Sequence, residues 1–145
     1  MSTINEFMTT HHKHCDELFI QAEAAVEKGN WDEAQEKWQL FKNELEKHFQ
    51  REELILFPEF EHTTGMVAGP TQMMRMEHQQ IRAIMMEMDN CGQTKDKSGY
   101  LGLSETLMVT IQQHNMKEEQ ILYPMTDNAI HNSDAIVVEM QNQNQ

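Results

Sequence analysis

The sequence predicts an all-α fold of four helices packed around a buried seam, and three observations carry that expectation. Prolines and glycines number only three and six in 145 residues, and the glycines fall where four helical patterns would break. Apolar residues recur at alternating steps of three and four, the narrow stripe of a helix buried in a bundle. One string occurs twice: HFQREELILFP at 48–58 and HNMKEEQILYP at 114–124 share His, Glu, Glu, Ile, Leu, an aromatic and Pro in register, 66 positions apart.

The first helix runs from about Ser2 to Lys28, where Gly29 stops it. Asn30 is placed to cap the second, with Asp32 and Glu33 in an acidic first turn. This helix reaches Phe57 or a little beyond, and its seam is Trp38, Phe41, Leu45, His48, Glu52 and Ile55. HTTGMVAGP, His62 to Pro70, reads as a loop, after which Thr71 caps a third helix extending to about Asn90. A second loop, CGQTKDKSGYLG from Cys91 to Gly102, leads to a fourth helix ending near Tyr123, with the seam Leu107, Ile111, His114, Glu118 and Ile121. Pro58 and Pro124 are expected to kink or end their helices, since proline donates no hydrogen bond and clashes with the preceding turn. Residues 1–145 read as a single domain of two hairpins, about 1–60 and 67–126, related by an approximate two-fold. A polar tail from about 132 to 145 is expected to fray.

Composition excludes several classes of function. Eleven Lys and Arg face 24 Asp and Glu, a net charge of −13 that disfavours any nucleic-acid partner. No apolar run approaches the roughly 20 residues of a membrane span, and the opening MSTINEF has neither a basic nor an apolar leader pattern. The expected location is cytoplasmic, with Cys15 and Cys91 as reduced thiols. Nothing resembles a Ser or Cys hydrolase triad or a phosphate loop.

Eight histidines in so short a chain point instead to a transition metal. His48 and Glu52, like His114 and Glu118, stand four residues apart on the seam, where burial without partners would cost several kcal/mol. A solvent-facing i, i+4 pair is the ordinary alternative, worth a few tenths of a kcal/mol, but both pairs lie in the apolar stripe. The repeat selects two further histidines: His12 to His48 and His78 to His114 both span 36 residues. The first-helix seam His12, Cys15, Phe19, Ala22, Val26 then matches His78, Ile81, Met85, Met88. His11 corresponds to Glu77 and His14 to Gln80, so neither is favoured as a ligand.

The resulting set, His12, His48, Glu52, His78, His114 and Glu118, offers four imidazoles and two carboxylates. Such donors suit iron, manganese or zinc better than magnesium or calcium. Two carboxylates on a pseudo-two-fold favour two ions, each with an open position for a small ligand. Glu53 and Glu119 are expected to face outward or to orient the ligand imidazoles, although spacing leaves the choice between i+4 and i+5 open.

In HFQREELILFP, MEHQQIR and HNMKEEQILYP the chain resembles the hemerythrin-like, His-His-Glu cation-binding family, over roughly residues 8 to 126. The resemblance implies an antiparallel up-down four-helix bundle holding two Fe ions, with His12, His48, His78 and His114 as terminal ligands and Glu52 and Glu118 as bridges. Ferritin-like di-iron bundles use Glu-x-x-His, the reverse order and a different spacing. The sequence departs from the oxygen-carrying members, which look like His-x-x-x-His in the third helix, because Arg82 follows His78 by four. Position 118 is Glu and so is 119, where those members place a carboxylate five residues after the last His. What remains is closer to members linked with iron sensing, nitric oxide response or repair of iron centres. The implied partner is O2, NO or peroxide, and the implied function is ligand binding or sensing, with redox catalysis or iron handling as the alternative.

Other residues receive plainer readings. Met73, Met76, Met85 and Met88 suit copper(I) in type, but adaptable core filling explains them better. Cys15 reads as core because its counterpart is Ile81, and His62 and His131 read as surface. Trp38, Phe41, Phe19, Leu45, Leu107 and Met85 are expected to wall the site from water.

Overall fold

A computed structural model describes residues 2–143, in which helix is the regular structure throughout. In chain order the helices are α1 (Ile4–Glu27), α2 (Trp31–Arg51), α3 (Phe57–Thr64), α4 (Pro70–Gln93), α5 (Lys97–Lys117), α6 (Tyr123–Ala129) and α7 (Ser133–Asn142). A π-helical turn, Glu52–Leu56, joins α2 to α3 without a break, and a second, Glu118–Leu122, joins α5 to α6. The bundle therefore has four rods. α1 pairs with α2 and α4 with α5 as hairpins, while α1 against α5 and α2 against α4 close the ring.

Local chemistry sets the rod ends. Thr3 caps α1 by accepting from the Glu6 N–H at 3.0 Å, and Asn30 caps α2 by accepting from the Glu33 N–H at 3.2 Å, as expected. Gly29 ends the first rod in a left-handed conformation, φ 76°. The α3–α4 connection differs from expectation. The helix runs on to Thr64, so His62 lies within α3, and the third rod starts at Pro70 without a side-chain cap. Thr71 is buried and donates instead to Glu61 Oε2 at 2.6 Å.

The expected loop from Cys91 to Gly102 shrinks to 94–96. Lys95 takes the left-handed turn itself, φ 55°, and Asp96 accepts the Gly99 N–H at 2.9 Å. Gly99 and Gly102 thus sit inside α5. The tail also differs. α7 buries Ile136, Val137 and Met140 against the Ile4, Met8 and Leu56 cluster, which outweighs its polar composition. The expected fraying of 144 and 145 lies outside the described residues.

Two apolar layers fill the bundle. One contains Phe19, Trp38, Phe41, Leu45, Met85 and Leu107, the walls expected from sequence. The other, at the opposite end, contains Met8, Leu56, Phe57, Phe60, Leu122 and Tyr123. Along each rod the seam passes from one layer to the other through a polar residue: His12, His48 with Glu52, His78, and His114 with Glu118, all buried.

The π turns correct the expectation for the prolines. Each closes an i→i+5 bond, from the Phe57 N–H to the Glu52 carbonyl and from the Tyr123 N–H to the Glu118 carbonyl. Pro58 and Pro124 follow at once, in the first turn of α3 and α6, where a missing N–H is tolerated. The helices do not end at the prolines; each widens by one residue over its glutamate. That extra residue also rotates the stripe. Leu122 is buried and Ile121 is 57% exposed, contrary to the expected seam, whereas Ile55 stays buried because α7 covers the first π turn.

Candidate metal centre

All six residues singled out from the repeat converge in the middle of the bundle. Glu52, His78, His114 and Glu118 place donor atoms within 4.8 Å of one another, and His12, His48 and Glu118 do the same on the other side. Glu118 belongs to both groups. Glu52 turns one oxygen to each side, Oε1 3.0 Å from His78 Nε2 and Oε2 3.7 Å from His48 Nε2. Glu118 Oε1 lies 3.1 Å from His12 Nε2 and 3.4 Å from His114 Nε2. The carboxylates therefore span the two groups as bridges would.

The other ring nitrogen of each imidazole faces outward to a partner. His12 Nδ1 meets Glu119 at 2.6 Å, His78 Nδ1 meets Glu53 at 2.6 Å, and His114 Nδ1 meets Glu77 at 2.7 Å. His48 Nδ1 meets His11 Nδ1 at 2.9 Å, and His11 Nε2 reaches Glu44 at 2.9 Å. Protons assigned to Nδ1 of the four inner rings leave every Nε2 lone pair aimed at the centre, the tautomer a metal-binding imidazole needs. The two glutamates of each motif are placed differently. Glu52 and Glu118 are fully buried at the centre, while Glu53 and Glu119 orient imidazoles from outside.

Electrostatically the cluster is loaded with competing demands. Burial and the neighbouring Glu118 push Glu52 up to about 7. Burial alone would raise Glu118 too, but the His114 charge and the close approach of Glu52, His114 and His12 hold it far below the carboxylate range. Burial disfavours charge on His12 and His78, yet their paired glutamates carry both up to about 9. Burial drives His48 well down. Glu53, despite partial burial, is held at about 2 by hydrogen bonds from His78 and Arg82.

Four atoms in the cluster stay without a hydrogen bond: Glu52 Oε1, His78 Nε2, His114 Nε2 and Glu118 Oε2. The short His78–Glu52 approach lacks hydrogen-bond geometry, so proximity does not satisfy either atom. A buried orphan polar atom costs about 1–3 kcal/mol. Four orphans on one centre fit a cation, which would use all of them, and these are the donors a transition metal prefers.

Several residues are placed elsewhere. His14 is exposed and touches only the edge of the cluster, stacked on His11 at 6.3 Å. Cys15 packs in the apolar layer with its thiol pushed up to about 12 by burial, so it stays protonated. His62 and His131 are exposed. Met73 and Met76 are exposed while Met85 and Met88 are buried, so the four share no site. Arg82 does not point at the centre; it clamps Glu53 and Glu46, with contacts of 2.9–3.1 Å, and lies over the Phe49 ring.

Three participants escaped the sequence reading. Phe49 stacks on His78 at 3.9 Å between ring centroids. His11 backs His48. Tyr123 places its hydroxyl among both glutamates and two histidines, donating to Glu52 Oε2 at 2.6 Å. Its signal was present in the repeat, as the Tyr that replaces Phe57 in the second copy.

The fold and this cluster define a helical bundle with a buried His/Glu group that could hold a cation. The chain matches the family model described as the Hemerythrin HHE cation binding domain over residues 3–126, and it belongs to that family. No curated protein and no solved structure matches it. No described helix is long and apolar enough to cross a membrane.

Proposed function

We propose that this chain is a non-haem di-iron protein of the cytoplasm that binds or senses a small ligand, O2 or NO. The observation that carries the reading is a set of four orphaned donor atoms, the Nε2 of His78 and His114 and one oxygen each of Glu52 and Glu118, on two carboxylates that each also face the His12/His48 pair. His78 and His114 would hold one ion, His12 and His48 the other, and Glu52 and Glu118 would bridge them. Iron bound there supplies electrons and an open position for a diatomic ligand. The protein's part is to hold the donors still and to keep them dry. Glu53, Glu77 and Glu119 fix three imidazoles, and Phe49 with the apolar layers excludes bulk water. A cleft of about 260 Å³ lined by His12, Asn115 and Glu119 brings solvent-sized molecules to the edge of the cluster.

Arg82 favours a second reading. With its guanidinium committed to Glu46 and Glu53, the His78 side gains no third imidazole, which suits peroxide or NO reduction, or iron handling, more than reversible oxygen carriage. Spectra of anaerobically iron(II)-loaded protein before and after O2 or NO separate the two. A stable, reversible adduct supports binding or sensing. Consumption of many equivalents of peroxide or NO with an electron donor supports turnover, and no spectral response to any of them contradicts both.

A further inference from the structure

The Tyr123 hydroxyl sits 2.6 Å from Glu52 Oε2, 2.9 Å from Glu118 Oε1, 3.1 Å from His48 Nε2 and 3.2 Å from His12 Nε2. Metal–ligand bonds of about 2.1 Å set neighbouring donors at right angles about 3.0 Å apart. Those four contacts are therefore spaced as edges of a coordination shell. All four belong to the two carboxylates and to the histidine pair of one position.

That position is also the more loosely gathered one, with Glu52 Oε2 3.7 Å from His48 Nε2. The His78/His114 group closes with four donors, the His12/His48 group with three. The repeat shows that packing does not require the hydroxyl. Phe57 occupies the equivalent place, fully buried, with its ring stacked at 5.9 Å on His78 as the Tyr123 ring stacks at 5.6 Å on His12. The hydroxyl donates to Glu52 Oε2 where it stands, which offsets its burial; what singles it out is its place among four donors of one position. The hydroxyl falls on the side whose donors close less tightly.

We propose that Tyr123 is a metal ligand, its phenolate oxygen completing the position formed by His12, His48, Glu52 and Glu118. The inference rests on the di-iron reading above. On ligation the Oη–iron bond forms, the Oη–H bond breaks, and the proton leaves to solvent; no electron moves. The two ions are then chemically distinct, one with a phenolate and one without.

The experiment is visible absorption and resonance Raman spectroscopy of the full chain loaded to two iron(III), for wild type and Tyr123→Phe, with iron per chain measured on the same samples. Phe57 shows that the substituted side chain fits such a site. The expected result is a phenolate-to-iron(III) charge-transfer band with enhanced phenolate vibrations in wild type, absent from Tyr123→Phe. Two irons in wild type without phenolate features would overturn the proposal and leave the di-iron reading intact, with Tyr123 a hydrogen-bond donor to Glu52. Phenolate features that survive in Tyr123→Phe would also overturn it, because Tyr100, the other tyrosine, is buried in the far layer against Trp38. Wild type that takes up no iron overturns both readings, and the iron content distinguishes that failure from the first.

Discussion

His48 Nδ1 meets His11 Nδ1 at 2.9 Å, where the repeat counterpart, His114, meets Glu77 at 2.7 Å. Three of the four central imidazoles are backed by a carboxylate; the fourth is backed by another imidazole that passes the contact on to Glu44. The neighbours follow the same exchange. Lys117 pairs with Glu77 at 2.6 Å, and Arg51, its counterpart, approaches His11 at 3.5 Å while donating to the Met140 carbonyl. A neutral imidazole polarises His48 less than a carboxylate would, so the His12/His48 position is the weaker donor set.

Replacing His11 therefore acts on one ion only. His11→Ala lowers affinity at the second metal position by roughly tenfold or more, the usual effect of losing an outer partner, and leaves the first unchanged. His11→Glu, which restores the pattern of Glu77, retains two-site binding. A competition titration with a chromophoric chelator resolves the two steps.

The metal-free protein loses stability as pH rises. His12 and His78, raised to about 9 in the folded chain, contribute fully below their unfolded value of 6.5, and the contribution disappears as pH passes about 9. Glu52, raised to about 7, adds a penalty in the same direction as it ionises between 4.5 and about 7. The melting temperature of the metal-free chain falls from pH 6.5 to about pH 9, and bound metal flattens that slope because it replaces the protons. Thermal melts with and without chelator check both statements.

Glu52→Gln separates stability from binding. At about pH 8 the buried Glu52 carboxylate is ionised at a cost in the metal-free chain, and the amide removes that charge while keeping its shape. The variant is expected to melt higher than metal-free wild type and, if Glu52 bridges two ions as proposed, to bind fewer than two metals per chain. Melting curves and metal analysis at that pH read out the two effects.

Phe49 is 1% exposed and lies flat on His78. Phe49→Ala costs about 3–5 kcal/mol, as truncations of buried Phe do, and admits water beside the His78/His114 position. Chemical denaturation measures the first effect. Faster oxidation of the iron(II)-loaded variant in air measures the second.

Most of this centre was legible because a two-fold repeat turns one motif into four positions: once His48 and Glu52 were placed, the offset of 66 gave His114 and Glu118 and matched His12 with His78. The seam periodicity likewise marked the apolar walls. What escaped depends on contacts between rods or on departures from regular helix. Ile121 faces solvent because a π turn rotates the stripe, and no α-helical periodicity anticipates a turn of a different pitch. His11 lies one residue from a ligand and was passed over because its counterpart is Glu77, although that contrast identifies the two as equivalent outer partners. Tyr123 was read as the aromatic of the motif, its hydroxyl unconsidered. The loop before α5 was read too long because Gly99 and Gly102 signal breaks locally, whereas the Asp96 cap holds the chain helical.

Whether His12, His48, Glu52, His78, His114 and Glu118 hold two ions as proposed is read out first by the metal content of the iron-loaded chain after desalting, for wild type and for the single variants His12→Ala and His78→Ala. Wild type is expected to retain two irons per chain, and each variant to lose a different one. No iron in wild type, or two irons retained in both variants, would contradict it.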